Sequence, residues 1–154
     1  MSDGSKFIPL LFIIGGALIA FGFSGSRLIA PVRGKVSSRF GTRVNPITKK
    51  KEFHNGIDIA VPEGTGVRSA GSGVIANVYT SDIGGVQMIL RLDSGMVAGY
   101  AHLQKAKVRK GDRVGSGQVI ALSGRSGKVT GSHLHFSLRD KSGEYINPER
   151  AVKI

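Results

Sequence analysis

Residues 73–103 read GVIANVYTSDIGGVQMILRLDSGMVAGYAHL, and this stretch decides the fold. Three runs, 73–80, 86–92 and 96–103, are rich in Val, Ile, Leu, Met and Tyr. Between them stand Ser81-Asp82-Ile83-Gly84-Gly85 and Asp93-Ser94-Gly95, the residue types that supply tight turns. Apolar runs of this length, bounded by Gly, Asp and Ser, read as strands joined by short connections. Two more follow, QVIALSG at 118–124 and LHFSLR at 134–139. Lys110-Gly111-Asp112 and Gly115-Ser116-Gly117 are expected to bracket a short strand pair. No segment of this part of the chain offers a long 3.6-residue apolar period. The predicted fold class is therefore all-β, a small and mostly antiparallel sheet domain. Composition agrees, because 23 Gly in 154 residues is about twice the usual share and demands many turns.

The front of the chain is different. Residues 7–23, FIPLLFIIGGALIAFGF, contain no charge. As a helix they would span about 25 Å, the short end of a membrane crossing. Pro9 would fall in the first turn, where its missing N–H is harmless. The expected layout is an N-terminal tail, a transmembrane helix over about 7–23 and a short Gly/Ser linker within residues 1–30, then one domain over 31–154. A cleaved signal peptide is the alternative, with Ser24-Gly25-Ser26 as the small residues to be cut. Against it, the run is long for a signal core and only Lys6 opposes Asp3 before it.

Charge and cysteine content narrow the chemistry. The chain carries 22 Lys+Arg against 10 Asp+Glu, a formal net charge of +12. Such an excess implies anionic surroundings: nucleic acid, anionic lipid or an acidic wall polymer. Only Asp3, Lys6 and Arg27 are charged before Pro31, so nearly all of the excess belongs to the domain. With no cysteine, disulfide frameworks, thiolate metal sites, cysteine nucleophiles and lipidated cysteine anchors are all excluded.

The four histidines, His54, His102, His133 and His135, carry what imidazole chemistry the chain has. In His133-Leu134-His135-Phe136-Ser137-Leu138 the alternation is clean. A strand sends Leu134, Phe136 and Leu138 to the core and His133, His135 and Ser137 to the other face. Two imidazoles about 7 Å apart along a strand can address a single site, although an isolated pair of this kind is more often a surface feature. His54-Asn55-Gly56-Ile57-Asp58 is the second motif. Asp58 lies between Ile57 and Ile59, where a buried carboxylate is costly unless a cation compensates it. That cation is either a metal ion or an arginine. His54, Asp58 and one histidine of the 133/135 pair together supply two nitrogens and one oxygen, a catalytic zinc set with a fourth position for water. Spacing does not choose between His133 and His135. The unligated one, with His102 in Gly99-Tyr100-Ala101-His102-Leu103, is a candidate acid–base group.

These blocks resemble the lysostaphin/LytM-type zinc endopeptidases of peptidoglycan. The resemblance runs from about Ser37 to Pro148, through SSRFGTRVNPITKKKEFHNGIDIAVPEGTGVRSAGSGVI, GYAHL, VRKGDRVGSGQVIALSGRSGKVTGSHLHFSLR and the closing INPE. It implies a small antiparallel β domain with a substrate groove. It also implies one Zn²⁺ held by His54, Asp58 and His135, and His102 and His133 as catalytic histidines acting on water and the oxyanion. Asn45 stands where relatives often have His, and Ser132 where Pro often precedes the HLHF block; neither change removes a ligand. The implied function is hydrolysis of cross-links or stem peptides of the bacterial wall, in wall remodelling or in phage entry or lysis. Peptidoglycan is then the substrate partner, and the membrane is contacted through the N-terminal helix.

Other readings are weaker. A two-histidine, one-carboxylate set also suits non-haem iron oxygenases, but their spacing differs from that of His54 and Asp58. A non-catalytic basic envelope-binding module, or an activator of other wall hydrolases, would not need the full ligand set. No nucleic-acid partner is expected, because Tyr79, Tyr100 and Tyr145 are sparse for base stacking and no nucleic-acid motif occurs. Wall chemistry places the domain outside the cytoplasm, anchored and facing the wall. Arg27, Arg33, Lys35 and Arg39 after the apolar run would by charge alone put it inside. A phage virion or its membrane would relax that conflict, and secretion after signal cleavage is the remaining alternative.

Overall fold

The computed structural model describes residues 12–14, 17–19 and 27–154. The described strands are β1 (Phe12–Ile14), β2 (Ala17–Ile19), β3 (Lys35–Ser38), β4 (Gly41–Val44), β5 (Lys51–His54), β6 (Ile57–Ala60) and β7 (Gly66–Arg68). They continue with β8 (Gly73–Ser81), β9 (Gly85–Leu92), β10 (Val97–Ala106), β11 (Arg113–Val114), β12 (Val119–Ser123), β13 (His133–Arg139) and β14 (Tyr145–Ile146). A single 3₁₀ turn, Pro148–Arg150, follows, capped by the Asn147 side chain. Every strand pairing among the described residues is antiparallel, as the spacing of turns and apolar runs predicts.

One large sheet has the order β11-β8-β9-β10-β13-β6-β3, with β12 joining β10 to β7 and β14 added to β13. β4 and β5 form a separate two-stranded ribbon. The turns between 73 and 103 form where Gly85 and Gly95 take left-handed backbone. The pair of Gly-rich segments at 110–117 encloses one short strand, β11, instead of a strand pair. It is spent on the edge of β8.

The transmembrane helix expected over 7–23 is not present in the described residues. Within that run, β1 and β2 pair antiparallel, from Phe12 opposite Ile19 to Ile14 opposite Ala17; the rest lies outside the described residues. Ile13, Ile14 and Ile19 are β-branched, and the intervening Gly15-Gly16 disfavours helix by about 1 kcal/mol per residue relative to alanine. No helix among the described residues is long and apolar enough to cross a membrane.

The core follows the alternation read from sequence. Leu134, Phe136 and Leu138 of β13 are fully buried, and so are Ile57 and Ile59 of β6, Met88 and Leu90 of β9, and Tyr100 of β10. Tyr100 packs on Phe136 with ring centroids 5.4 Å apart, and its hydroxyl accepts a 3.0 Å hydrogen bond from the Ala70 amide. Burying that phenol pushes its pKa up, so the ring is a neutral core group. The opposite face of β13 is left for His133, His135 and Ser137, all partly exposed.

Two glycines let other segments close on that face. A side chain at Gly56 would meet the Phe136 carbonyl and the His135 ring, so the corner after β5 can press against β13 only without one. Gly127, at φ +80°, lies equally close to the backbone of Ile83 and Gly85. Replacing Phe136 by alanine should cost about 3–5 kcal/mol of stability, the usual toll for a large cavity in a sheet core. Chemical denaturation of wild type and Phe136→Ala is the check.

Candidate metal centre

β6 and β13 are neighbours in register, and Asp58 lies directly opposite His135. β5 ends at His54, and Asn55-Gly56 turns the chain back into β6, so His54 reaches the same spot from the side. His54 Nε2, His135 Nδ1 and Asp58 Oδ1 converge. The distances are 3.1 Å between the two nitrogens, 3.2 Å from His54 to Asp58 and 2.8 Å from His135 to Asp58. These are the three candidate ligands expected from sequence, all within 4.8 Å of one another.

The second nitrogen of each ring is tied down. His54 Nδ1–H donates to the Arg39 carbonyl at 2.9 Å, and His135 Nε2 lies 3.0 Å from Asn55 Oδ1. Each hydrogen bond places the proton on the outer nitrogen and leaves a lone pair on the inner one. Two lone pairs and an anionic carboxylate oxygen therefore face one point, and electron-rich atoms of that kind repel. A cation must sit among them, either a proton on a ring or a metal ion, and the donor set of two nitrogens and one oxygen fits a divalent transition metal.

Asp58 has a second side. Its Oδ2 is 3.2 Å from Arg43 Nη1, which also donates to Ser38 Oγ at 2.6 Å. Arg43 is held in turn by Glu52, and Glu52 by a 2.7 Å bond from Asn45 Nδ2. That hydrogen bond from Asn45, with Arg43 beside it, keeps the Glu52 carboxyl below its ordinary pKa. Burial works against a charge on Asp58, yet when the enclosed cation is a ring proton, hydrogen bonds from His135 and His54 outweigh it and hold the carboxyl well below the usual range. Metal ion and arginine were alternatives in the sequence. The structure gives Oδ2 of Asp58 the arginine and turns Oδ1 toward the two imidazoles of the candidate metal cluster.

His133 and His102 stand beside the cluster. His133 Nε2 is 3.7 Å from Asp58 Oδ1, and its Nδ1–H donates to the Gly131 carbonyl at 3.0 Å. The His102 ring lies with its centroid 4.8 Å from that of His133 and 6.2 Å from that of His135. Its Nδ1–H donates to the Ser126 carbonyl at 2.9 Å. In a regular strand His102 would share the core face of Tyr100. Instead β10 shifts register between Tyr100 and Leu103, and His102 takes φ +61°. This bulge turns the imidazole to the site face while Leu103 returns to the core. Burial lowers the His102 pKa, so the ring stays neutral below its ordinary value.

All five residues line one open groove of about 840 Å³, together with Val44, Pro46 and Ile47 and with Tyr79, Ser81 and Ile83. Sequence reading singled out the five but missed those that hold them: Arg43, Asn55 and the carbonyls of Arg39, Ser126 and Gly131. Arg43 alone left a trace, as the cation that Asp58 demanded. A larger groove, about 1620 Å³, is lined by Arg27, Arg33, Arg68 and the last residues of the chain, and contains none of these groups.

An antiparallel sheet that presents paired imidazoles and a carboxylate at the floor of an open groove has the layout of a metal-dependent peptidase. The chain belongs to peptidase family M23, whose sequence profile matches residues 52–148. It is 40% identical over 105 residues to the peptidoglycan DD-endopeptidase ShyA of Vibrio cholerae, a match covering 68% of this chain and 24% of that protein. Among solved structures it resembles a zinc-containing peptidase from Vibrio cholerae, with a TM-score of 0.71 and 34% identity, over 77% of this chain and 37% of that one. It also resembles the catalytic domain of lysostaphin from Staphylococcus simulans, with a TM-score of 0.68 and 32% identity, over 76% of this chain and 90% of that one. The chain spans about a quarter of the length of the curated relatives it matches.

Arg43→Met should weaken binding of a divalent transition metal about 10–100-fold, the usual loss when a partner behind a ligand is removed. Competition with a chromophoric chelator reads it, and Arg43→Lys should recover part of the loss.

Proposed function

We propose that this chain is a zinc-dependent endopeptidase that hydrolyses cross-links or stem peptides of bacterial peptidoglycan. The observation that carries the proposal is the convergence of His54 Nε2, Asp58 Oδ1 and His135 Nδ1, with two further imidazoles on the open side. The names of ShyA and lysostaphin's catalytic domain supply the substrate class and the enzyme type by similarity. The basic surface suits a wall polymer that carries carboxylates and phosphates. The uncharged run 7–23 is assigned to membrane association through its apolar surface, not through a spanning helix, with the groove turned toward the wall.

In this reading His54, Asp58 and His135 hold the ion. When bound, it supplies a Lewis acid and water activated at neutral pH. Arg43 keeps Oδ2 of Asp58 occupied, which would leave Oδ1 as the oxygen free to hold the ion. His133 and His102 both present Nε2 lone pairs, because their Nδ1 protons are committed to backbone carbonyls. They therefore act first as bases for the proton that water gives up. Once protonated, either ring becomes a cationic donor that stabilises the developing oxyanion and returns the proton to the leaving amine. Burial of His102 favours this order, since it disfavours a resting positive charge there.

The test is mass spectrometry of fragments released from isolated sacculi by the purified full chain. Release should stop on chelation, return with zinc, and identify the bond; intact sacculi after zinc loading would overturn the assignment. His54→Ala, Asp58→Ala and His135→Ala should lose both metal and activity. His102→Ala and His133→Ala should keep the metal while activity falls about 10²–10⁴-fold. Metal loss from either of the last two would reverse the division of roles.

A further inference from the structure

We infer that Lys128 forms a subsite for a free carboxylate of the substrate, on the side of the groove where His102 is held. The inference rests on the peptidase reading of the same groove and specifies which peptides it accepts.

The argument begins with the charges that line the groove. Besides the histidines these are Arg43, Glu52, Asp58 and Lys128. The first three are engaged with one another, since Arg43 pairs with both Glu52 and Asp58. Among the described residues, Lys128 makes no salt bridge and no side-chain hydrogen bond, and it is exposed. Among the described residues it is therefore the one cation of the groove lining that is not already paired with a carboxylate.

Its backbone is not free to wander. The Lys128 amide donates to the Ile83 carbonyl at 2.9 Å, which pins the loop between β12 and β13 onto the turn between β8 and β9. Gly127 permits that close approach, and Ser126, one residue earlier, both holds His102 through its carbonyl and caps the Val86 amide with its hydroxyl. The cation is thus carried by the same rigid loop that aims a catalytic imidazole. Ile83, strongly exposed, lies beside it on the groove wall. An ammonium next to an aliphatic surface matches a carboxylate at the end of a short aliphatic segment. The corresponding amide offers no charge to the ammonium and should bind more weakly.

A pair of synthetic cross-linked stem peptides, identical except that one carboxylate is free or amidated, provides the test with the zinc-loaded full chain. Wild type should favour the free acid about tenfold, in KM and in fluorescence anisotropy of labelled peptide. Lys128→Met should bring the ratio of the two peptides close to one, and Lys128→Arg should restore it. Lys141→Met, which removes the same charge away from the groove, should leave the ratio as in wild type. The inference falls if wild type shows no preference, if Lys128→Met keeps it, or if Lys141→Met lowers it equally. Should wild type bind the free acid selectively through Lys128 and cleave neither peptide, the subsite stands and the endopeptidase reading fails.

Discussion

The structure depends on how one carboxylate is shared. Asp58 lies between Ile57 and Ile59, both completely buried, in a strand flanked by β3 and β13. A charge in that place is tolerable only when both oxygens are matched. Arg43 takes one, and the imidazoles of His54 and His135, with whatever cation they enclose, take the other. The register of β6 against β13 is therefore a chemical constraint as well as a packing one. A slip of one residue would turn Asp58 into the core and an isoleucine into the groove.

The same economy governs the imidazoles. Three of the four give one ring proton to a backbone carbonyl, at Arg39, Gly131 and Ser126, and His135 faces the amide of Asn55. Ring orientation thus comes mainly from the path of the chain. Arg39 illustrates this: its carbonyl orients His54, while its side chain pairs with Glu149 near the C-terminal end. The last turn of the chain is thereby connected to the centre through a single residue. The β4–β5 ribbon is connected in a similar way, since it bears both His54 and Arg43 and is outside the main sheet's ladder.

The parts of this arrangement that repeat with period two were legible in the sequence. Leu134, Phe136 and Leu138 went to the core and His133 and His135 to the groove because nothing interrupts β13. Asp58 announced its need for a cation because both neighbours are isoleucine. What stayed hidden is non-periodic. A bulge at His102 reverses the faces of β10, and no residue type there signals it, since neither Ala101 nor His102 is a glycine. Arg43 sits in a short exposed-looking strand, and its pairing with Asp58 exists only once the ribbon folds over β6. The choice between His133 and His135 needed the register of β13 with β6, or the resemblance. The apolar run at 7–23 shows the opposite limit: a hydropathy argument says what such residues avoid but not which backbone they adopt, and Ile13-Ile14 and Ile19 lie in paired strands.

The left-handed backbone of His102 carries a consequence for how the domain can change over time. A non-glycine residue in that region gives up roughly 1–2 kcal/mol. Glycine would relieve the tension and remove the imidazole in one step. Drift toward a sturdier fold and retention of chemistry thus pull in opposite directions at a single codon. A copy that no longer needed that imidazole would gain by settling there, and would keep the same sheet.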